Sequence, residues 1–170
     1  MSTQIRAARV DDVAIIQSIY AYHVEHGTGT FELEPPTFEA MRGRFHAIAG
    51  RNYPFLVATE EDQVIGFGYA GQFRARPAYR YTVEDSIYLH PDKLGRGTGK
   101  LLLQQLIDTA TDRGFTQMLA VIGDTNNRAS IRLHAKLGFS TTGTLQNVGF
   151  KFDRWLDVVL MQRSLATPAM

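Results

Sequence analysis

Apolar residues recur at helical spacing in two early stretches, Val13, Ile16, Ile19 and Tyr20, then Phe38, Met41, Phe45 and Ile48. The first stretch follows a short strand in "TQIRAARVDD" and predicts a helix capped by Asp11 or Asp12. Between the two helices "HGTGTFELEPPT" breaks the chain, and Pro35 with Pro36 forbids a continuous helix. Thr37 is placed to cap the second one. "PFLVATEEDQVIGFGYAGQF" then predicts an antiparallel hairpin of two strands joined by a polar turn. A basic, aromatic loop, "RARPAYR", separates it from a strand in "YTVEDSIYLH". A glycine-rich turn and a leucine-rich helix follow, the helix from about residue 98 to 113 by its apolar period. "TQMLAVI" has the composition of a buried strand, and "GDTNNRASIRLHAKLG" that of a loop and a short helix ended by Gly138. The last apolar segments, in "FSTTGTLQNVGFKFDRWLDVVLMQRSL", predict two further strands.

The order β-α-α-β-β-β-α-β-α-β-β predicts an α/β fold with a mixed sheet. With 170 residues and no linker or repeat, we expect a single domain over residues 1–165 and a short tail at 166–170. A net charge of +1 gives no general attraction to polyanions, so no nucleic-acid partner is expected. The chain has no cysteine, which excludes disulfides, cysteine–zinc sites and a cysteine nucleophile. No run approaches the ~20 apolar residues of a membrane span, and the first residues lack the apolar core of a signal peptide. A cytoplasmic protein without a membrane partner is the expectation. The histidines lack the spacing of a helical metal site, and no metal is expected.

The chemistry is concentrated in "HPDKLGRGTGKLLLQQLIDTA". A helix beginning near Thr98 turns its free N–H groups and the positive end of its dipole back into this turn. Gly95, Gly97 and Gly99 place no side chain between those groups and a ligand, while Arg96 and Lys100 add positive charge. The turn therefore suits an anion, most naturally a phosphate or pyrophosphate. It is not a Walker A loop, because Gly95 to Gly99 is one residue too short and Leu101 follows Lys100. It is not a dinucleotide fingerprint either, since its third glycine comes too early.

"HPDKLGRGTGKLLLQQLI" resembles the coenzyme A pyrophosphate loop of the GNAT superfamily of N-acetyltransferases, whose pattern is Q/R-x-x-G-x-G/A. "NRASIRLHAKLGF" is similar to that family's N-x-x-A-x-x-L-Y-x-x-x-G-F helix, and the element order agrees over Ile5 to Leu165. "TFELEPPT", "YRYTVEDSIYLHPD", "LHAKLGF" and "VGFKFDRWLDVVLMQ" look more narrowly like the phosphinothricin and methionine sulfone or sulfoximine acetyltransferases. The resemblance implies a mostly antiparallel sheet with helices on both faces, acetyl-CoA as co-substrate, a homodimer, and transfer to the α-amino group of a small amino acid. Two positions depart from the superfamily pattern. Leu94 stands where the loop has Gln or Arg, and His134 where many members have tyrosine, although the narrower group also has histidine there.

Amine acetylation needs a group that takes the amine proton, and the resemblance puts Glu84 at the usual base position. By strand alternation Asp85 points to the opposite face, so only one of the two is expected in the cleft. Ile87, Tyr88 and Leu89 are implied to pair with the pantetheine arm through their backbone, and an N–H there can polarise the thioester carbonyl. Asn127 corresponds to a pantetheine-contacting asparagine and is equally a good helix cap. His134, two helical turns on, either meets the leaving sulfur or simply packs. Arg74 and Arg80 offer guanidinium forks for the carboxylate and polar end of an amino acid, with Phe31 and Glu32 as walls. Lys151 and Trp155 fit either the far side of that pocket or a dimer interface. Without cysteine, direct attack in a ternary complex is favoured over an acyl-enzyme. Other acceptors, a small amine or a peptide N-terminus, and a non-catalytic acyl-CoA sensor are the competing readings.

Overall fold

The computed structural model describes residues 2–166, so the end of the expected tail lies outside the described residues. The order is β1 (Gln4–Ala7), α1 (Val13–His26), α2 (Phe38–Ala49), β2 (Phe55–Glu60), β3 (Gln63–Gln72), β4 (Thr82–Leu89), α3 (Thr98–Asp112), β5 (Gln117–Gly123), α4 (Arg128–Lys136), β6 (Ser140–Lys151) and β7 (Arg154–Ser164). The strands form one seven-stranded sheet in the order β1-β2-β3-β4-β5-β7-β6. Every neighbouring pair is antiparallel except β4 with β5. That exception follows from the chain path, because two parallel neighbours need a crossover, and α3 supplies it.

Local chemistry sets the boundaries. The Thr37 hydroxyl accepts from Ala40 N–H at 3.1 Å and starts α2. Asp12 does not cap α1 with its side chain. Its carboxylate instead accepts from Arg9 N–H at 2.7 Å and from both terminal nitrogens of Arg6 at 2.8 and 2.9 Å, closing a 3-10 turn ahead of the helix.

Helices cover both faces of the sheet. Ile16, Ile19 and Val24 of α1 and Met41 and Phe45 of α2 pack with Phe55, Val57 and Phe67 on one face. Leu103, Ile107 and Ala110 of α3 pack with Met118, Ile122, Val159 and Met161 on the other, where Ile131 and Leu133 of α4 join them. All six residues of β2 are buried, as expected for a strand covered on both sides. Phe67 has no exposed surface, and its truncation to alanine would cost roughly 3–5 kcal/mol.

Candidate active site

β4 and β5 pair only from Thr82 with Gln117 to Asp85 with Ala120. Beyond that point β4 stays with β3 and β5 stays with β7, so the two strands part. The gap opens a cleft of about 600 Å³ that runs from Asp85 and His134 past Ile87 and Leu89 to Gly95, Gly97 and Lys100.

Ladder alternation decides which backbone groups face this gap. His90 N–H donates to the Ile65 carbonyl opposite it, at 2.8 Å, which makes them a bonded pair. Two-residue alternation then directs the groups of Tyr88 and Ser86 to β3, and those of Ile87 and Leu89 into the cleft. The expectation for Tyr88 is corrected accordingly: it borders the cleft, but its backbone serves Phe67, and its ring packs against Tyr20 and His23. The Leu89 carbonyl is taken as well, by His23 Nε2 at 2.7 Å. Acceptance by a carbonyl fixes the proton on Nε2, and burial lowers the pKa of His23, so the ring is neutral. This contact from α1 joins residues 66 apart and leaves no trace in the local sequence.

At the other end of the cleft, Gly95 and Gly97 have φ of 75° and 84°, a left-handed conformation that glycine adopts without strain. An added Cβ at either would meet no atom, so the turn encloses open space. Thr98 Oγ1 is buried there with no hydrogen-bond partner. The amides at the start of α3 have no helical acceptor, and Gly99 packs closely between Leu89 and Leu133. A pyrophosphate fits this turn in charge, donors and room. Lys93 Nζ, 2.7 Å from Glu60, anchors the segment before it to the end of β2. Arg96 is exposed and Leu94, which borders the cleft, is 57% exposed.

Asp85 and His134 meet at the inner end, buried, with His134 Nε2 at 3.0 and 3.2 Å from the two carboxylate oxygens. His134 Nδ1 lies 2.8 Å from the Ser130 carbonyl. Two expectations change here. Neither nitrogen of His134 is free for a sulfur in this conformation, and Asp85 lines the cleft although Glu84 does not. Asn127 caps α4, its side chain accepting from Ser130 N–H at 3.3 Å, and it does not line the cleft.

Glu84 lies on the opposite sheet face, with Ser86 and Tyr88, under α1 and α2. It is partly buried and makes no hydrogen bond or ion pair among the described residues. Burial, with Asp85 beside it, raises its pKa above the ordinary value. Glu32 is nearby but engaged: it pairs with Arg44, whose nitrogen lies 2.8 Å away, and it accepts from the Tyr20 hydroxyl. The Arg44 guanidinium lowers the pKa of Glu32 despite partial burial, whereas burial pushes Tyr20 up to about 12. Phe31 packs where Gly123 and Gly149 leave no Cβ in the way. Lys151 is buried and donates to the Thr30 carbonyl at 3.0 Å, whereas Trp155 is 63% exposed. Arg74 and Arg80 are exposed on the β3–β4 loop, stacked over Phe73 and Tyr81, and neither pairs with a carboxylate among the described residues.

A family model described as an acetyltransferase (GNAT) domain matches residues 5–160. The chain is 45% identical to a phosphinothricin N-acetyltransferase from Alcaligenes faecalis, over 95% of this chain and 82% of that protein. It is 40% identical to an L-methionine sulfoximine/L-methionine sulfone acetyltransferase from Pseudomonas paraeruginosa, over 97% and 96%. A solved phosphinothricin acetyltransferase from Sinorhizobium meliloti, in complex with acetyl-CoA, superposes with a TM-score of 0.95 at 46% identity, covering 98% of this chain and 90% of that one. With a family model over most of its length and relatives this similar, the chain belongs to the GNAT acetyltransferase family.

Proposed function

We propose that this enzyme transfers the acetyl group of acetyl-CoA directly, in a ternary complex, to the α-amino group of small amino acids with a polar tetrahedral side-chain end. Phosphinothricin, methionine sulfone and methionine sulfoximine are the proposed acceptors, in keeping with the relatives' activities. Detoxification of such amino acids is the proposed role. The observation that carries the reading is Glu84: a carboxylate with a raised pKa and no partner among the described residues, beside the point where β4 and β5 part.

The chain's residues divide the work by position. Amides around Gly97, Thr98 and Gly99, with Arg96 and Lys100, hold the pyrophosphate of acetyl-CoA. Ile87 and Leu89 offer cleft-facing backbone groups to the extended arm, and an N–H there polarises the thioester carbonyl. Acetyl-CoA supplies an acyl group on a thiolate leaving group. Glu84 takes the amine proton, directly or through water, and its raised pKa makes it a better base than an ordinary carboxylate. Arg74 and Arg80, which pair with no carboxylate among the described residues, hold the acceptor's anionic groups. Phe31 and Glu32 shape the loop above, and Asn127 fixes the start of α4. No acyl-enzyme is invoked, because the chain has no cysteine.

We further propose that residues 1–165 act as one domain and that the enzyme is a cytoplasmic homodimer. The β6–β7 hairpin supports the dimer, because Phe150, Phe152 and Trp155 are all more than half exposed. Among the described residues no helix is long and apolar enough to cross a membrane.

The test is thiol release from acetyl-CoA with phosphinothricin, methionine sulfone, methionine sulfoximine, methionine, a polyamine and a short peptide. Preference for the first three by at least about tenfold in kcat/KM is expected. Turnover of only the polyamine or the peptide would overturn the acceptor assignment.

A further inference from the structure

The glycine turn is held unevenly at its two ends. On the helix side Thr98, Leu102 and Leu103 are buried, and Gly99 packs between Leu89 and Leu133. The turn itself, residues 94–97, belongs to no helix or strand, and all four residues are exposed. Two of them are glycines, which lose more conformational freedom on ordering than any other residue. A ligand that needs the turn in one shape binds more weakly unless the fold has already ordered it.

On the strand side the order ends at Lys93. His90 N–H donates to the Ile65 carbonyl at 2.8 Å, and Lys93 N–H to the His90 carbonyl at 2.9 Å. Lys93 Nζ then donates to Glu60 Oε2 at 2.7 Å. Glu60 is itself fixed: it ends β2, pairs with Gln63 across a tight turn, and has a side chain only 8% exposed. Thr3 Oγ1 donates to its other oxygen at 3.4 Å. Lys93 does not line the cleft, so its charge is spent on Glu60 and not on a ligand.

We propose that Glu60 and Lys93 are positioning residues for coenzyme A: their ion pair fixes the entry to the glycine turn, so that its amides are in place before the pyrophosphate arrives. The inference rests on the reading above that the pyrophosphate of acetyl-CoA occupies this turn. Charge and position act here with opposite signs. Glu60 is ionised, because the Lys93 ammonium holds its pKa below the ordinary value and Arg96 of the turn acts in the same direction. A carboxylate beside an anion site repels the ligand, so by charge alone its removal would tighten binding. By position its removal frees Lys93 and the turn behind it, and binding weakens. One neutral variant therefore separates the two effects.

The test is calorimetric titration with coenzyme A, beside steady-state kinetics. E60Q and K93M are each expected to raise the coenzyme A dissociation constant about tenfold, as loss of a charge-assisted hydrogen bond implies. The double variant E60Q/K93M should lose no more than the weaker-binding single variant, because either substitution already breaks the pair. S-acetylpantetheine carries the same thioester on an arm without the pyrophosphate. In both single variants kcat/KM for acetyl-CoA should fall about tenfold relative to that for S-acetylpantetheine. Tighter or unchanged coenzyme A binding by E60Q would overturn the proposal. Additive losses in the double variant would overturn it too, since Lys93 would then act on the phosphates directly. An equal loss with both donors would do the same, by showing that the variants loosen the whole protein. Should E60Q fail to fold, E60D decides: it keeps the charge but shortens its reach, and must weaken coenzyme A binding by at least about threefold. Absence of acetyl transfer to any amine would instead sink the acetyl-transfer reading alone, because the titrations involve no turnover.

Discussion

Lys151 Nζ donates to the Thr30 carbonyl at 3.0 Å, so the end of β6 holds the loop between α1 and α2 against the sheet. The same loop carries Phe31, packed over Gly123 and Gly149, and Glu32, paired with Arg44 of α2. Lys151→Met keeps the length of the side chain but leaves the buried Thr30 carbonyl without its donor. A loss of about 1–3 kcal/mol in stability is expected. If the loop shapes the acceptor pocket, the acceptor KM rises while KM for acetyl-CoA stays near wild type. Steady-state kinetics with each substrate varied, beside thermal melts, separates the two effects. A lower melting temperature with both KM values unchanged would remove the loop from acceptor binding.

Glu84→Gln should be slow and stable. Removing the base is expected to lower kcat by about 10²–10⁴-fold, with the acetyl-CoA dissociation constant nearly unchanged. The pKa of Glu84 is raised in the fold, so the folded state binds this proton more tightly than the unfolded chain does. Its favourable contribution is complete below the ordinary value of 4.5 and is lost as pH rises through the folded value. At neutral pH the ionised carboxylate therefore destabilises the protein, and the neutral amide should melt at a higher temperature. Undiminished kcat would exclude Glu84 as the base, and a lower melting temperature would show that it is held by contacts absent here.

Leu94 borders the cleft with more than half of its surface exposed, so it is replaceable without disturbing a core. Leu94→Gln adds a polar group at the mouth of the pyrophosphate turn. KM for acetyl-CoA is expected to fall several-fold, as a net hydrogen bond of about 1 kcal/mol implies. The acceptor KM should not move. Isothermal titration with coenzyme A checks the change without turnover, and an unchanged affinity would mean that the amides and basic side chains already satisfy the anion.

Local signals in the sequence located the elements well, because glycine, proline and capping residues act on their neighbours. Gly95 and Gly97 leave the turn open as their lack of side chains implied, and Thr37 caps α2. Alternation also placed Glu84 and Asp85 on opposite faces. What it could not supply is that the sheet splits at Asp85, so that both faces of β4 border functional space. The Asp85–His134 pair joins residues 49 apart in sequence, and the His23–Leu89 contact joins residues 66 apart. Long-range pairs of this kind leave no periodic trace. Arg44 was missed for a related reason, since a charged residue on a helix ordinarily faces solvent and only the returning loop brings Glu32 to it.

Trp155 and Phe150 are opposite each other in the β6–β7 ladder, with ring centroids 5.1 Å apart, and both remain exposed. Val148 and Phe152 add apolar surface to the same hairpin, each 53% exposed. Aromatic residues at this density on an edge hairpin mark a surface that gains from being covered, and a second copy of the chain is the proposed cover. Trp155→Glu places a charge in the patch without touching the core, so melting temperature at high dilution should change little. Self-association should weaken by at least about thirtyfold, the equivalent of losing a 2 kcal/mol hot spot. Sedimentation over a range of concentrations measures this directly. A wild-type protein that sediments as a monomer at all of them would overturn the dimer, and a variant that stays dimeric would place the interface on another surface.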